Sequence, residues 1–176
     1  MKFTKYDKYG AYHHKQYAKG GRYKRHADRI KDWVKERKVL DIGAGDGLIT
    51  VLLGIVGVDN EPKAVQLAQE KGALVVLGDA YALDFETEQF DSALMIDVLE
   101  HFEFPREALR EARRILKKYL YIVTPPKKAD GTLTDKFHYQ EWTAEGLQEI
   151  VESADFELEG EIVTEGKSMY AKFKKV

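Results

Sequence analysis

The chain has no cysteine and only four prolines in 176 residues. Without cysteine, disulfides and thiolate metal sites are excluded. Long hydrophobic runs are missing as well. The longest nearly apolar stretch, Leu48–Val58, falls short of the roughly 20 residues that span a bilayer. The opening Met1-Lys2-Phe3-Thr4-Lys5-Tyr6 is polar and aromatic and does not read as a secretory signal. No membrane span and a cytoplasmic location are the expectations. What is present is a globular mixture, 44% hydrophobic and 33% charged. That suffices for one domain with a buried core and argues against wholesale disorder.

The net charge of −2 conceals an uneven distribution. Residues 1–38 carry 13 Lys and Arg against 4 Asp and Glu, while residues 39–176 carry 15 against 26. A basic arm on an acidic body can attract an anionic substrate or nucleic acid. Packing of the arm across its own acidic body is the simpler expectation. The arm also carries Tyr6, Tyr9, Tyr12, His13, His14, Tyr17, Tyr23 and His26. Such rings can stack on a flat acceptor, anchor helices, or close over a ligand, and a partial lid is expected.

The arm reads as helix and loop, broken at Gly20-Gly21, with helical spacing at Ile30, Trp33 and Val34. From Val39 short apolar runs alternate with helical stretches. Lys38–Ile42, Ile55–Asp59, Ala73–Leu77, Phe90–Ile96 and Tyr119–Thr124 predict parallel strands buried on both faces. Asn60 is expected to cap a helix through Lys71, with Pro62 in its first turn. A second helix begins near Pro105 and turns Ala108, Leu109, Ala112, Ile115 and Leu116 inward. Pro125-Pro126 stops the strand after it. A third helix is capped by Thr143. Two closing strands, Phe156–Ile162 and Ser168–Phe173, are joined by a turn too short for a crossover, which makes them antiparallel. The pattern is one doubly wound α/β domain with an antiparallel edge and an N-terminal helical extension.

The chemical signal lies in Val39-Leu40-Asp41-Ile42-Gly43-Ala44-Gly45-Asp46-Gly47, at a strand end that opens into a helix. A dinucleotide loop needs a sixth-position glycine, where this chain has Leu48. Asp41 is unfavourable beside a pyrophosphate and favourable beside a cationic ligand. Two further acids end the next strands: Asp59, suited to accept ribose hydroxyls, and Asp79, suited to an adenine amino group. Only eight residues, Leu48 to Ile55, separate Gly47 from Val56, so the first helix after the loop must be short.

These stretches, together with VVLGDAYALDF, FDSALMIDVLEHF and REALREARRILKKYLYIVTPP, resemble the class I S-adenosylmethionine-dependent methyltransferases. The likeness is greatest to the small-molecule group that includes the ubiquinone and menaquinone biosynthesis enzymes. The resemblance implies a Rossmann-like, mostly parallel seven-stranded sheet with an antiparallel last strand and helices on both faces. Residues 39–176 would form the cofactor-binding domain and residues 1–38 the arm or lid. By the same resemblance, Asp41, Gly43, Ala44, Gly45 and Gly47 would hold the methionine part of S-adenosylmethionine. Asp59 and Asn60 would lie at the ribose, Asp79 and Ala80 at the adenine, and Ile96 and Asp97 near the methyl group.

Methyl transfer from a sulfonium is a direct displacement, so the enzyme's work is alignment and exclusion of water. A hydroxyl acceptor must also lose a proton to a base or a metal ion. Asp97, His101 and His138 are the catalytic candidates. Asp97, Glu100, His101 and His138 also resemble the E-x-x-E-H plus distant histidine site of small-RNA 2′-O-methyltransferases, with Asp97 in place of the first Glu. Similar residues in quinone O-methyltransferases are tied to divalent metal. A structural role for Glu100 and His101 is the expectation given more weight. The acceptor is expected to be a small molecule. RNA is the alternative, followed by S-adenosylmethionine binding without catalysis.

Overall fold

The computed structural model describes residues 5–176; the first four residues of the expected arm lie outside them. The chain divides into two compact units, Met1–Asp79 and Ala80–Val176.

The first unit opens with three helices: α1 (Lys5–Tyr9), α2 (Tyr12–Ala18) and α3 (Arg22–Trp33). The break at Gly20-Gly21 is where the sequence places it, and Gly10, at φ 62°, adds another. There follow β1 (Val39–Ile42), α4 (Leu48–Leu53), β2 (Val56–Asp59), α5 (Pro62–Glu70) and β3 (Leu74–Leu77). β2 pairs in parallel with both β1 and β3. The short first helix after the glycine loop is present as α4. Every residue of β1 is buried, as a strand covered on both faces must be.

Two expectations for this unit are corrected. The cap of α5 is Glu61, whose side chain accepts from the Lys63 amide, and Asn60 is exposed. Asp59 takes the Glu61 amide at 2.9 Å, which turns the chain one residue later than the pattern suggests. Nor is β3 covered on both faces. Val75 is buried with Val65, Ala68 and Ala73, but Leu74 and Val76 are exposed. Residues 78–89 form turns and bridges.

The second unit contains β4 (Phe90–Ile96), a 3-10 turn at Leu99–His101, α6 (Pro105–Ile115) and β5 (Leu116–Thr124). After these come α7 (Ala144–Glu152), β6 (Phe156–Leu158), β7 (Val163–Glu165) and β8 (Ser168–Lys175). β4 and β5 are parallel, and β8 runs antiparallel to β5. The other edge of β8 takes both β6 and β7, again antiparallel. The strand expected over Phe156–Ile162 is therefore interrupted, with Gly160 at φ 86° in the gap.

Leu116, expected on the inner face of α6, is buried but is the first residue of β5. Its backbone is extended while its amide still closes the helix onto Ala112. Thr143 caps α7 as the sequence predicts, accepting from the Gly146 amide at 3.1 Å, a contact typically worth about 1 kcal/mol.

Candidate functional site

The glycine loop is fixed by backbone hydrogen bonds before any ligand is considered. Gly43 and Ala44 both donate to the Val58 carbonyl, at 2.8 and 3.0 Å. Gly45 donates to Asp59 Oδ2 at 2.8 Å, so the acid ending β2 holds the loop that follows β1. Burial pushes the Asp59 carboxyl up, against the lowering effect of the Glu61 and Gly45 amides.

Gly45 and Gly47 are required for different reasons. Both have positive φ, 57° and 74°, a region that costs an ordinary L-residue roughly 1–2 kcal/mol. A Cβ at Gly45 would run into the Tyr6 hydroxyl. A Cβ at Gly47 would lie 2.5 Å from Ala73 Cβ and 2.9 Å from Ala68 Cβ. Gly47 therefore serves the packing of α5 and of Ala73, just before β3, against the loop.

Asp41 is buried and accepts from Thr50 Oγ1 at 2.8 Å. Burial raises its carboxyl to about 7; the Thr50 hydroxyl opposes this, and nearby Asp59 adds to it. Asp46, to which the sequence assigned no role, is fully buried. It accepts from the His13 amide at 2.9 Å, and His13 Nδ1 lies 3.0 Å from its other oxygen. His14 Nε2 meets the Asp46 carbonyl oxygen at 2.9 Å. Two histidines of the arm thus pack onto an acid of their own unit. The adjacent histidines were visible in the sequence; their partner, 33 residues away, was not. Asp79 follows β3 and is exposed.

In the second unit, Ile96 ends β4 and the Asp97 amide donates to the Val123 carbonyl at 2.7 Å. Asp97 has φ 50°, a left-handed conformation uncommon for a non-glycine residue and concentrated at functional sites. Ala80 begins this unit and is half-buried.

Beyond Asp97, the 3-10 turn and the loop after β5 bring Glu100, His101 and His138 together, with one ligand-type atom of each within 4.8 Å of the others. Asp97, the fourth residue of the expected set, is not among these three. The 3-10 turn begins at Leu99, so Asp97 precedes it. Glu100 is buried and accepts from Thr124 Oγ1 at 2.9 Å.

Both histidines are oriented through Nδ1. That of His101 is 3.0 Å from the Phe137 carbonyl oxygen, and that of His138 is 2.6 Å from Glu141 Oε1. Bonds of this kind set the tautomer and turn Nε2 toward its function as base or ligand. Glu141 is buried and also takes the Thr134 amide at 2.7 Å and the Thr134 hydroxyl. Burial alone would raise its carboxyl, but the Thr134 and His138 hydrogen bonds prevail and hold it low. The sequence signal for Glu141 was its spacing, three residues after His138.

The family profile described as a methyltransferase domain matches residues 40–123. Residues 40–123 are a methyltransferase domain. The domain is similar to the demethylmenaquinone methyltransferase of Thermotoga maritima, 29% identical over 123 residues, with 62% of this chain and 54% of that protein covered. The chain spans about half or less of the length of the curated relatives it matches.

Two solved structures share the fold. An S-adenosylmethionine-dependent methyltransferase of Thermotoga maritima superposes with TM-score 0.77 at 23% identity, covering 98% of this chain and 96% of that one. The magnesium protoporphyrin IX methyltransferase of Synechocystis PCC 6803, with S-adenosylhomocysteine bound, superposes with TM-score 0.75 at 16% identity, covering 98% and 97%. The fold is the Rossmann-like α/β fold expected. The methyltransferase domain includes the glycine loop, Asp59, Asp79, Asp97, Glu100 and His101. The arm histidines, His138 and Glu141 lie outside the matched residues.

Proposed function

We propose that this chain transfers the methyl group of S-adenosylmethionine to a nucleophilic atom of a small-molecule acceptor. The observation that carries the reading is the concentration of carboxylates around the glycine loop. Asp41 lies in β1, Asp46 within the loop and Asp59 at the end of β2. Acids in this number disfavour a pyrophosphate and favour a ligand bearing ammonium and sulfonium groups. Asp41, Gly43, Ala44, Gly45 and Gly47 are assigned to the methionine part.

Asp59 and Asn60 are assigned to the ribose. Each Asp59 oxygen already accepts one amide, and a carboxylate has about four acceptor sites, so it retains capacity for two hydroxyls. Asp79 and Ala80 are assigned to the adenine, and Ile96 and Asp97 to the methyl end. When bound, the cofactor supplies an electrophilic methyl carbon.

A hydroxyl acceptor must also lose a proton. His101 and His138 are suited to taking it because their Nδ1 atoms are already committed to Phe137 and Glu141. Asp97, at the same strand end, is the third catalytic candidate. The mutual approach of Glu100, His101 and His138 favours a second reading, in which these residues hold a divalent cation that lowers the acceptor's pKa. The quinone class of the named relative supports an aromatic hydroxyl or activated ring carbon as the acceptor.

Calorimetry with S-adenosylhomocysteine and with NAD tests the cofactor; binding of NAD alone sinks the reading. Activity that survives EDTA supports the histidine base. Activity lost to EDTA and restored by a divalent ion supports the cation.

A further inference from the structure

Ala80, assigned above to the adenine, has no polar side-chain atom, so any hydrogen bond it makes to a base comes from its backbone. Reading a base edge in that way needs a backbone that stays in place, because there is no side chain to adjust. Yet the strap from Ala80 to Gln89 forms only turns and bridges. No helix or strand ladder of its own fixes it. Side chains of α6 do.

Glu111 and Arg114 stand three residues apart on one face of α6. Arg114 Nε donates to Glu111 Oε2 at 2.9 Å and its Nη2 to Oε1 at 2.7 Å. Together they grip the strap. The Leu83 amide donates to Glu111 Oε1 at 2.8 Å, the Leu83 carbonyl accepts from Arg114 Nη2 at 2.9 Å, and the Phe85 carbonyl accepts from Arg114 Nη1 at 2.8 Å. Further along, the Glu88 amide donates to the Arg114 carbonyl at 2.9 Å. Near Ala80, the Tyr81 ring leans on Phe102 with centroids 5.7 Å apart, and its hydroxyl accepts from the Phe104 amide at 3.3 Å. All these residues belong to the second unit. The buried face of α6 is Pro105, Ala108, Leu109, Ala112 and Ile115, so Glu111 and Arg114 act on the strap rather than on the helix's own core. The Arg114 hydrogen bonds hold the Glu111 carboxyl low, against burial. Only a planar fork of donors reaches a carboxylate and two carbonyls at once; a lysine does not.

We propose that Glu111 and Arg114 are positioning residues for the base end of the cofactor. They anchor the strap so that the Ala80 backbone reads adenine and rejects other purines. The inference rests on the S-adenosylmethionine reading given above. It extends the cofactor site to a pair of side chains on a helix that carries none of the residues assigned to the ligand.

Two ligands that differ only at the purine test this: S-adenosylhomocysteine and S-inosylhomocysteine, in which a carbonyl replaces the 6-amino group. The exchange reverses the donor and acceptor pattern of that edge and leaves the sugar and amino-acid ends alone. Both are titrated calorimetrically into the full chain and into Arg114→Lys, which keeps the charge and loses the fork. The unsubstituted chain is expected to prefer S-adenosylhomocysteine by about tenfold or more, the range for a polar group left unpaired. Arg114→Lys is expected to cut that preference to about threefold or less by weakening S-adenosylhomocysteine alone. Glu111→Gln, which keeps an acceptor for the Leu83 amide, is the milder second variant and is expected to act in the same direction. Equal weakening of both ligands, or an unchanged preference, overturns the proposal. Amide exchange at Leu83 and Glu88 reports the strap itself and is expected to quicken in both variants. A loosened strap with the preference intact, or a strap no looser in either variant, also overturns it. If the unsubstituted chain binds both ligands equally, the base is not read and the proposal falls while the cofactor reading stands. If it binds neither, the cofactor reading itself falls.

Discussion

The amide of Gly45 donates to the carboxylate of Asp59 at 2.8 Å, so the acid proposed to grip the ribose also sets the loop proposed to hold the methionine part. Asp59→Ala removes both functions and strands the Gly45 and Glu61 amides. The expected result is loss of at least tenfold in S-adenosylhomocysteine affinity and about 1–3 kcal/mol of stability. Calorimetry and urea denaturation measure the two. Unchanged affinity removes the ribose assignment.

Asp41 gives a pH prediction. Its folded pKa is raised to about 7 by burial, so the unliganded protein gains most from this group at low pH. That contribution is lost as pH rises from the ordinary carboxylate range through about 7. Binding of an ammonium-bearing ligand has the opposite dependence, since it favours ionised Asp41. S-adenosylhomocysteine should bind more tightly at pH 8 than at pH 6, and Asp41→Asn should flatten that difference. A dependence unchanged in the variant would assign it to another group.

Gly47 and Gly54 form a matched pair of substitutions. Both have positive φ, 74° and 64°, but a Cβ at Gly54 meets nothing within 4 Å while one at Gly47 meets Ala68 and Ala73. Gly54→Ala should cost about 1 kcal/mol for the backbone alone. Gly47→Ala should cost about 3 kcal/mol, because overpacking is added. Equal midpoints in thermal unfolding would contradict the packing role.

Glu141 lies outside the matched domain, yet it orients His138 at 2.6 Å. Glu141→Leu should lower kcat about 10–100-fold, as loss of an orienting carboxylate does, with little change in S-adenosylhomocysteine affinity. A parallel loss of affinity would place Glu141 in general folding instead.

The sequence made the alternating elements readable wherever periodicity and turn chemistry agreed. β4 has the predicted bounds, Thr143 caps α7, and the helix after Gly47 is short. It misplaced what depends on distant partners. Leu116 is apolar and buried in either element, so its pattern does not distinguish the end of α6 from the start of β5. β3 reads as an interior strand because its residues are apolar, whereas it lies at the edge of the sheet, paired with β2. In the candidate site, Asp41, Asp59, Glu100, His101 and His138 were legible as residue types in or after the strands. The grip of His13 on Asp46 was not, because no local spacing records a contact across 33 residues.

The interruption at Gly160 bears on how the protein behaves when crowded. A continuous outer strand would offer neighbouring molecules a row of unpaired amides and carbonyls and so invite fibril-like stacking. Here that border is cut into β6 and β7, each three residues long, which are poor templates for another chain. The more adhesive border is β3, with Leu74, Val76 and Leu77 turned to solvent; a lysine at position 76 should raise the concentration at which the protein stays dispersed.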